Sequence, residues 1–154
     1  MGTDIYERFE IRRNGVWEPI ELLSDFDSGT APDDKFISSR GHPAFIDRNY
    51  ALFPVLADVR NTFGIQSVAQ PRSLPEDASP QVKAYFEDDH AVSWVTLDEL
   101  QSYDWNQILT DSRQPHANTE SLREAVEPFL SRNLRYLLAQ VENPADVRIV
   151  FSFD

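Results

Sequence analysis

The dipeptide Asn14-Gly15 stands between two runs in which apolar and polar residues alternate, and it constrains the fold more than any other feature of the chain. A two-residue hairpin loop of the type I′ form needs positive φ at both central positions, and Asn and Gly reach that region at the least steric cost. Before it, Ile5, Phe9 and Ile11 fall on one face at period two; after it, VWEPI can return as a second strand. The chain therefore opens on an antiparallel hairpin. At the far end Val147, Ile149, Phe151 and Phe153 repeat the same alternation and predict a terminal strand, and HAVSWV, residues 90–95, predicts an internal one.

Helical spacing separates these strands. Leu52, Phe53, Leu56 and Val59 recur at helical intervals, with Asn49 as a natural cap and Pro54 accommodated in the first turn. Arg60 reads as a cation at the helix C-terminus, and Asn61 followed by Gly64 as its stop. Ser79-Pro80 opens a short helix over QVKAYF, and Thr96 through Glu99 form a capping box before a second. The longest helical pattern lies in TESLREAVEPFLSRNLRYLLAQVE, where Pro128 should kink or divide it. Two segments read as loops: Ser24–Pro43, rich in Asp, Ser, Gly and Pro, and Gln66–Pro80. These elements predict one α+β domain over residues 1–154, with a mostly antiparallel sheet made of the hairpin, the internal strand and the terminal strand, packed with several helices.

At 154 residues, roughly two thirds of the unfolded surface can be buried in one core. The 41 % apolar content marks a folded chain, so the formal charge of −12 is a property of its surface. That charge argues against nucleic-acid binding, which depends on neutralising phosphates. The cations are twelve Arg and two Lys, and Arg forks suit carboxylates and phosphates. Without Cys there is no thiolate nucleophile and no sulfur-bound zinc. No run approaches the roughly 18 apolar residues of a membrane span, no leader-like start is present, and Tyr6 stands where a myristoylation signal has Ser or Thr. A soluble cytoplasmic protein is expected, with no cofactor, no metal, no nucleic-acid or membrane partner, and self-association left open.

No Gly-rich phosphate loop, nucleophile elbow or paired zinc histidines occur, so candidate chemistry rests on groups of residues. Arg48, Asn49 and Tyr50 combine an anion fork, an amide and a phenol able to stack, at the positive end of a helix. The plainer reading is an Asn cap beside an Arg48–Asp47 surface pair. Asp4 lies on the face opposite Ile5, with Tyr6 beside it; it either points to water or holds a base, a ribose hydroxyl or a cation. Arg72 stands in a proline-stiffened loop, and a held Arg loses less entropy on binding. Of the histidines, His42 and His116 read as ordinary loop side chains. His90 precedes the strand with Ser93 and Trp94 and is the candidate acid or base, with Asp4 as its orienter.

Several of these stretches resemble a family of small proteins of bacteriophages and actinobacteria. MGTDIY resembles the family's MGCDIH, RNYALFPVLADVRN its RNYDLFAILADVRN, PRSLPEDASP its GRGLPEDVSP, and HAVSWVTLDEL its HSASWLTLEEL, in the same order. Thr3 and Tyr6 replace the family's Cys and His, and Ser73 its Gly, which puts any metal chemistry of that His and Cys in doubt here. The resemblance implies a phage or actinobacterial origin and no settled activity. Its polar matches are Asp4, Arg48, Asn49, Tyr50, Arg72, Asp77, His90, Ser93 and Trp94.

The expected function is a binding protein for a small anionic, nucleotide-derived ligand, with Arg48 and Arg72 on phosphates, Tyr50 or Trp94 on a base, and Asp4 or Asn49 on hydroxyl or base edges. In the cytoplasm of a bacterial host, such a phage protein would sequester an immune signal. The alternatives are a hydrolase or lyase of the same ligand using His90 and Asp4, and an acidic DNA mimic or protein-interaction module.

Overall fold

A computed structural model describes residues 2–20, 41–110 and 120–154. Most of the Ser24–Pro43 loop, and His116, lie outside those residues. The hairpin forms as expected: β1 (Ile5–Arg13) and β2 (Val16–Pro19) pair antiparallel, with Asn14 at φ 52 and Gly15 at φ 76. β3 (Val92–Thr96) and β6 (Val147–Phe153) complete a four-stranded antiparallel sheet in the order β2-β1-β6-β3. The terminal strand is thus central, paired on both edges, and its residues 147–152 are buried on both faces.

The α+β architecture follows from how each face is covered. On one face Ile5, Phe9, Val95, Val147, Ile149 and Phe151 meet the main core. Against it packs α1 (Leu52–Ala57), all six residues of which are buried, with the Phe53 ring 4.8 Å from that of Phe153. Burying such side chains contributes about 1.5–3 kcal/mol each, enough to hold a helix far too short to form alone. Also on this core lie α3 (Leu97–Ser102) and α4 (Leu122–Ala125). The opposite face is smaller, with Val92 and Val150 packed under Val82 of α2 (Pro80–Tyr85) and Phe86 just after it.

Local signals held where they rest on capping chemistry. Ser79 Oγ accepts from Val82 N, with Pro80 as the first helical residue, and Thr96 and Glu99 form the reciprocal capping box. Pro128 divides the long helical pattern as expected: α4, a turn at 126–128 with a cis Glu127–Pro128 bond, a π-helical segment (Phe129–Leu134) and α5 (Arg135–Leu138). The π-helical segment buries Arg132 and Asn133. Asn133 Nδ2 donates to the carbonyls of Pro43 and Phe45 (2.8 and 2.7 Å), and Arg132 to Asp47 Oδ2 (2.9 Å), which anchors the chain leading into Arg48. A two-residue ladder between β4 (Ile108–Leu109) and β5 (Glu120–Ser121) had no sequence signal.

One boundary is corrected. α1 stops at Asp58, which takes the left-handed conformation at φ 60 and donates its N–H to Pro54 O, well before Asn61 and Gly64. Asn61 builds the following turn instead: its amide donates to Asp58 Oδ1 and Ile65 O, both at 2.7 Å, and its Oδ1 accepts from Ile65 N.

Candidate functional site

Each of the two Arg-Asn pairs that bracket the segment 48–61 divides its work in the same way. The Asn shapes the backbone: Asn49 Oδ1 accepts from Ala51 N and Leu52 N (2.9 and 3.0 Å), and Asn61 closes the turn after the helix. Each Arg reaches across to the N-terminal segment before β1. Arg48 Nε donates to Asp4 Oδ1 at 2.8 Å, with Nη2 at 2.7 Å from the same oxygen, and Arg60 Nε donates to the Thr3 hydroxyl at 2.7 Å. Between them the Tyr50 hydroxyl accepts from Thr3 N (3.1 Å), and the Arg60 guanidinium lies 4.9 Å from the centre of the Tyr50 ring.

Two expectations are thereby corrected. Asp47 does not pair with Arg48; it accepts from Arg132, because the π-helical segment carries that guanidinium to it. Arg60 does not sit over the carbonyl end of α1; a left-handed backbone at φ 52 turns its side chain back toward Thr3 and Tyr50. Such a conformation is costly for a residue with a Cβ. Nor does α1 offer free amides to an anion, since Asn49 already takes its leading N–H groups.

The rest of this sheet end is acidic and hydroxyl-bearing. The carboxylate of Asp154 accepts from Asp4 N (3.1 Å) and from the Tyr6 hydroxyl (3.0 Å), and this hydrogen bond first, then the charge of Asp154, raises the Tyr6 pKa. The hydrogen bond to Asp4, reinforced by its charge, likewise raises the Arg48 pKa above its ordinary value. Arg48 and Asp4 keep 48 % and 45 % of their side chains exposed, so solvent and solutes reach the pair directly. Gly2 passes beneath the Arg48 guanidinium, and a Cβ there would push it aside. His90 is exposed in the turn before β3. Val92 and Tyr6 both face Ser152 in the sheet register, so His90 and Asp4 emerge at the same sheet end with the end of β6 between them. The Asp4 carboxylate is engaged by Arg48 there.

Arg72, Ser93 and Trp94 form a second, separate group at the β3 edge. Ser93 Oγ accepts from Arg72 N (2.9 Å), and the Arg72 guanidinium grips both carboxylate oxygens of Glu99, donates to Trp94 O and lies 4.5 Å from the Trp94 ring centre. Arg148 lies 5.5 Å from the same ring and 3.9 Å from that of Trp17. Trp17, Arg148, Trp94 and Arg72 thus follow one another across the sheet. Arg148 donates to Glu10 Oε1 (2.8 Å) and Asp77 Oδ1 (2.9 Å), while Glu10 Oε2 accepts from Ser79 N (2.8 Å). These contacts tie residues 72–79 down over the sheet, which gives Arg72 and Asp77 structural employment.

Asp154, Glu10, Trp17 and Arg148 were not among the candidates read from the sequence, where Glu99 appeared only as half of a capping box and Thr3 only as a departure from the resembling family. The repeated Arg-Asn pair was the available signal for Arg60, and the polar position of Arg148 inside an apolar strand was the signal for a buried charge. A cleft of about 520 Å³ beside α3 is edged by Glu99, Asp104, Gln66 and Gln107 together with Val68 and Tyr103, a mixed polar and apolar lining. No group of three or more metal-ligating side chains occurs among the described residues, and none of their helices is long and apolar enough to cross a membrane. Comparison of the chain with family models, curated proteins and solved structures gives no match.

Proposed function

We propose that the protein binds a small nucleotide-type anion at the sheet end where Arg48, Tyr50 and Arg60 meet. The observation that carries this reading is the convergence of two guanidinium groups, from opposite ends of one buried helix, on consecutive residues Thr3 and Asp4 around a half-exposed Tyr50. Paired guanidinium groups suit a phosphate through charge-assisted hydrogen bonds. The phenol ring supplies a stacking surface for a base, and the Asp154 carboxylate and Tyr6 hydroxyl supply partners for ribose hydroxyls. Arg72 and Trp94 leave this reading, because their contacts dock a loop and the Arg72 guanidinium is already held by both carboxylate oxygens of Glu99.

The resemblance to phage and actinobacterial proteins gives the reading a setting: capture of a host nucleotide signal in the bacterial cytoplasm. Calorimetric titration of the wild type and Arg48→Ala with adenosine 5′-monophosphate and with cyclic nucleotides is the test. Binding that Arg48→Ala weakens at least tenfold is expected, with a rise in melting temperature on saturation. Binding unaffected by Arg48→Ala, or none at all, removes the reading.

A further inference from the structure

We propose, resting on that reading, that Asp4 is a resident competitor for Arg48, and that the ligand able to displace it carries a terminal phosphate. Asp4 lies outside β1, in the coil that precedes Ile5, so its carboxylate can leave Arg48 without breaking the β1 ladder. The pair is half exposed, and both Arg48 contacts fall on one carboxylate oxygen, Oδ1.

A tethered carboxylate competes at the effective concentration set by its short tether, on the order of millimolar or above. A free monocarboxylate gains nothing over it, since it offers Arg48 the same group at lower concentration. A phosphomonoester differs in two respects: it carries about −1.5 to −2 charges at pH 7 and has three acceptor oxygens. Its several oxygens suit it to draw on Arg48 and Arg60 together, whose present partners are the adjacent residues Asp4 and Thr3, whereas the Asp4 carboxylate is held by Arg48 through one oxygen. Asp4 thus sets a selectivity threshold, admitting phosphates and refusing carboxylates.

The test titrates inorganic phosphate, acetate and adenosine 5′-monophosphate into the wild type, Asp4→Asn, Asp4→Ser and Arg60→Ala. Melting curves confirm that each variant is folded. If Asp4 holds Arg48 nine tenths of the time, removing it tightens phosphate binding about tenfold, because apparent affinity scales with the fraction of competent protein. The expected result is that gain in both Asp4 variants, acetate binding that appears only in them, and weakened phosphate binding in Arg60→Ala. Wild-type binding of the nucleotide that both Asp4 variants leave unchanged or weaken overturns the competitor role while the nucleotide site stands. If neither phosphate nor the nucleotide binds any of the four proteins, the competitor role and the site fall together.

Discussion

Arg148 brings a full charge into a sheet face where it is 2 % exposed, so its neighbours decide whether the strand can hold it. Glu10, fully buried, takes its Nε, and Asp77 takes Nη1 from the solvent side. Removing one member of such a pair strands the other charge in a desolvated site. Glu10→Ala should therefore destabilise the protein by about 3–5 kcal/mol in denaturant unfolding. The double variant Glu10→Met with Arg148→Leu should recover most of that loss, since well-packed apolar residues often replace a buried pair at little cost. A Glu10→Ala effect below about 1 kcal/mol would show that water reaches the pair. These partners were invisible in sequence for a definite reason: Glu10 and Arg148 are 138 positions apart and meet only because β6 returns beside β1. Period-two alternation placed both on the face opposite the main core, but alternation carries no register between distant strands.

Among the elements, those legible in the sequence were the ones fixed by chemistry within a few residues. The Asn14-Gly15 turn, the Ser79-Pro80 start and the Thr96–Glu99 capping box all use side chains to satisfy nearby backbone groups. The end of α1 was misplaced because Asp58 takes up the left-handed stop that Asn61 and Gly64 also suit. Residues 72–79 depend on distant contacts, and one of these titrates. The hydrogen bond from Arg72 is the largest influence holding the Glu99 carboxyl below its ordinary pKa, against the opposing effect of burial. A folded-state pKa below the unfolded value of about 4.3 gives stability that is present above that value and is lost as pH falls through the lower one. Glu99→Gln keeps the capping geometry but lacks this dependence. Its stability should decline less steeply than the wild type's below pH about 4, by no more than about 1 kcal/mol because both partners are partly exposed. Parallel acid unfolding of the two proteins in that range would refute the assignment.

For the molecule as a whole, a charge of −12 coexists with two arginines that reach the adjacent residues Thr3 and Asp4. The sheet makes this possible by bringing residue 4, residue 154 and the 48–61 segment to one end. Of the site expected from sequence, Asp4, Tyr6, Arg48 and Tyr50 share this end, Asn49 serves the backbone, and Arg72, Ser93 and Trp94 belong to the other group. Sequence could nominate these residues by their chemistry but could not sort them, since the sorting depends on which strands are neighbours. The most direct measurement is a titration of the isotopically labelled protein with adenosine 5′-monophosphate, followed residue by residue through its backbone amide resonances and the Arg Nε–H signals. Saturable shifts concentrated at Thr3, Asp4, Arg48, Tyr50 and Arg60 are predicted, with little change at Arg72 and Trp94. Shifts confined to the cleft near Glu99 and Gln107, or no saturable shift at millimolar nucleotide, would contradict a ligand site at this end of the sheet.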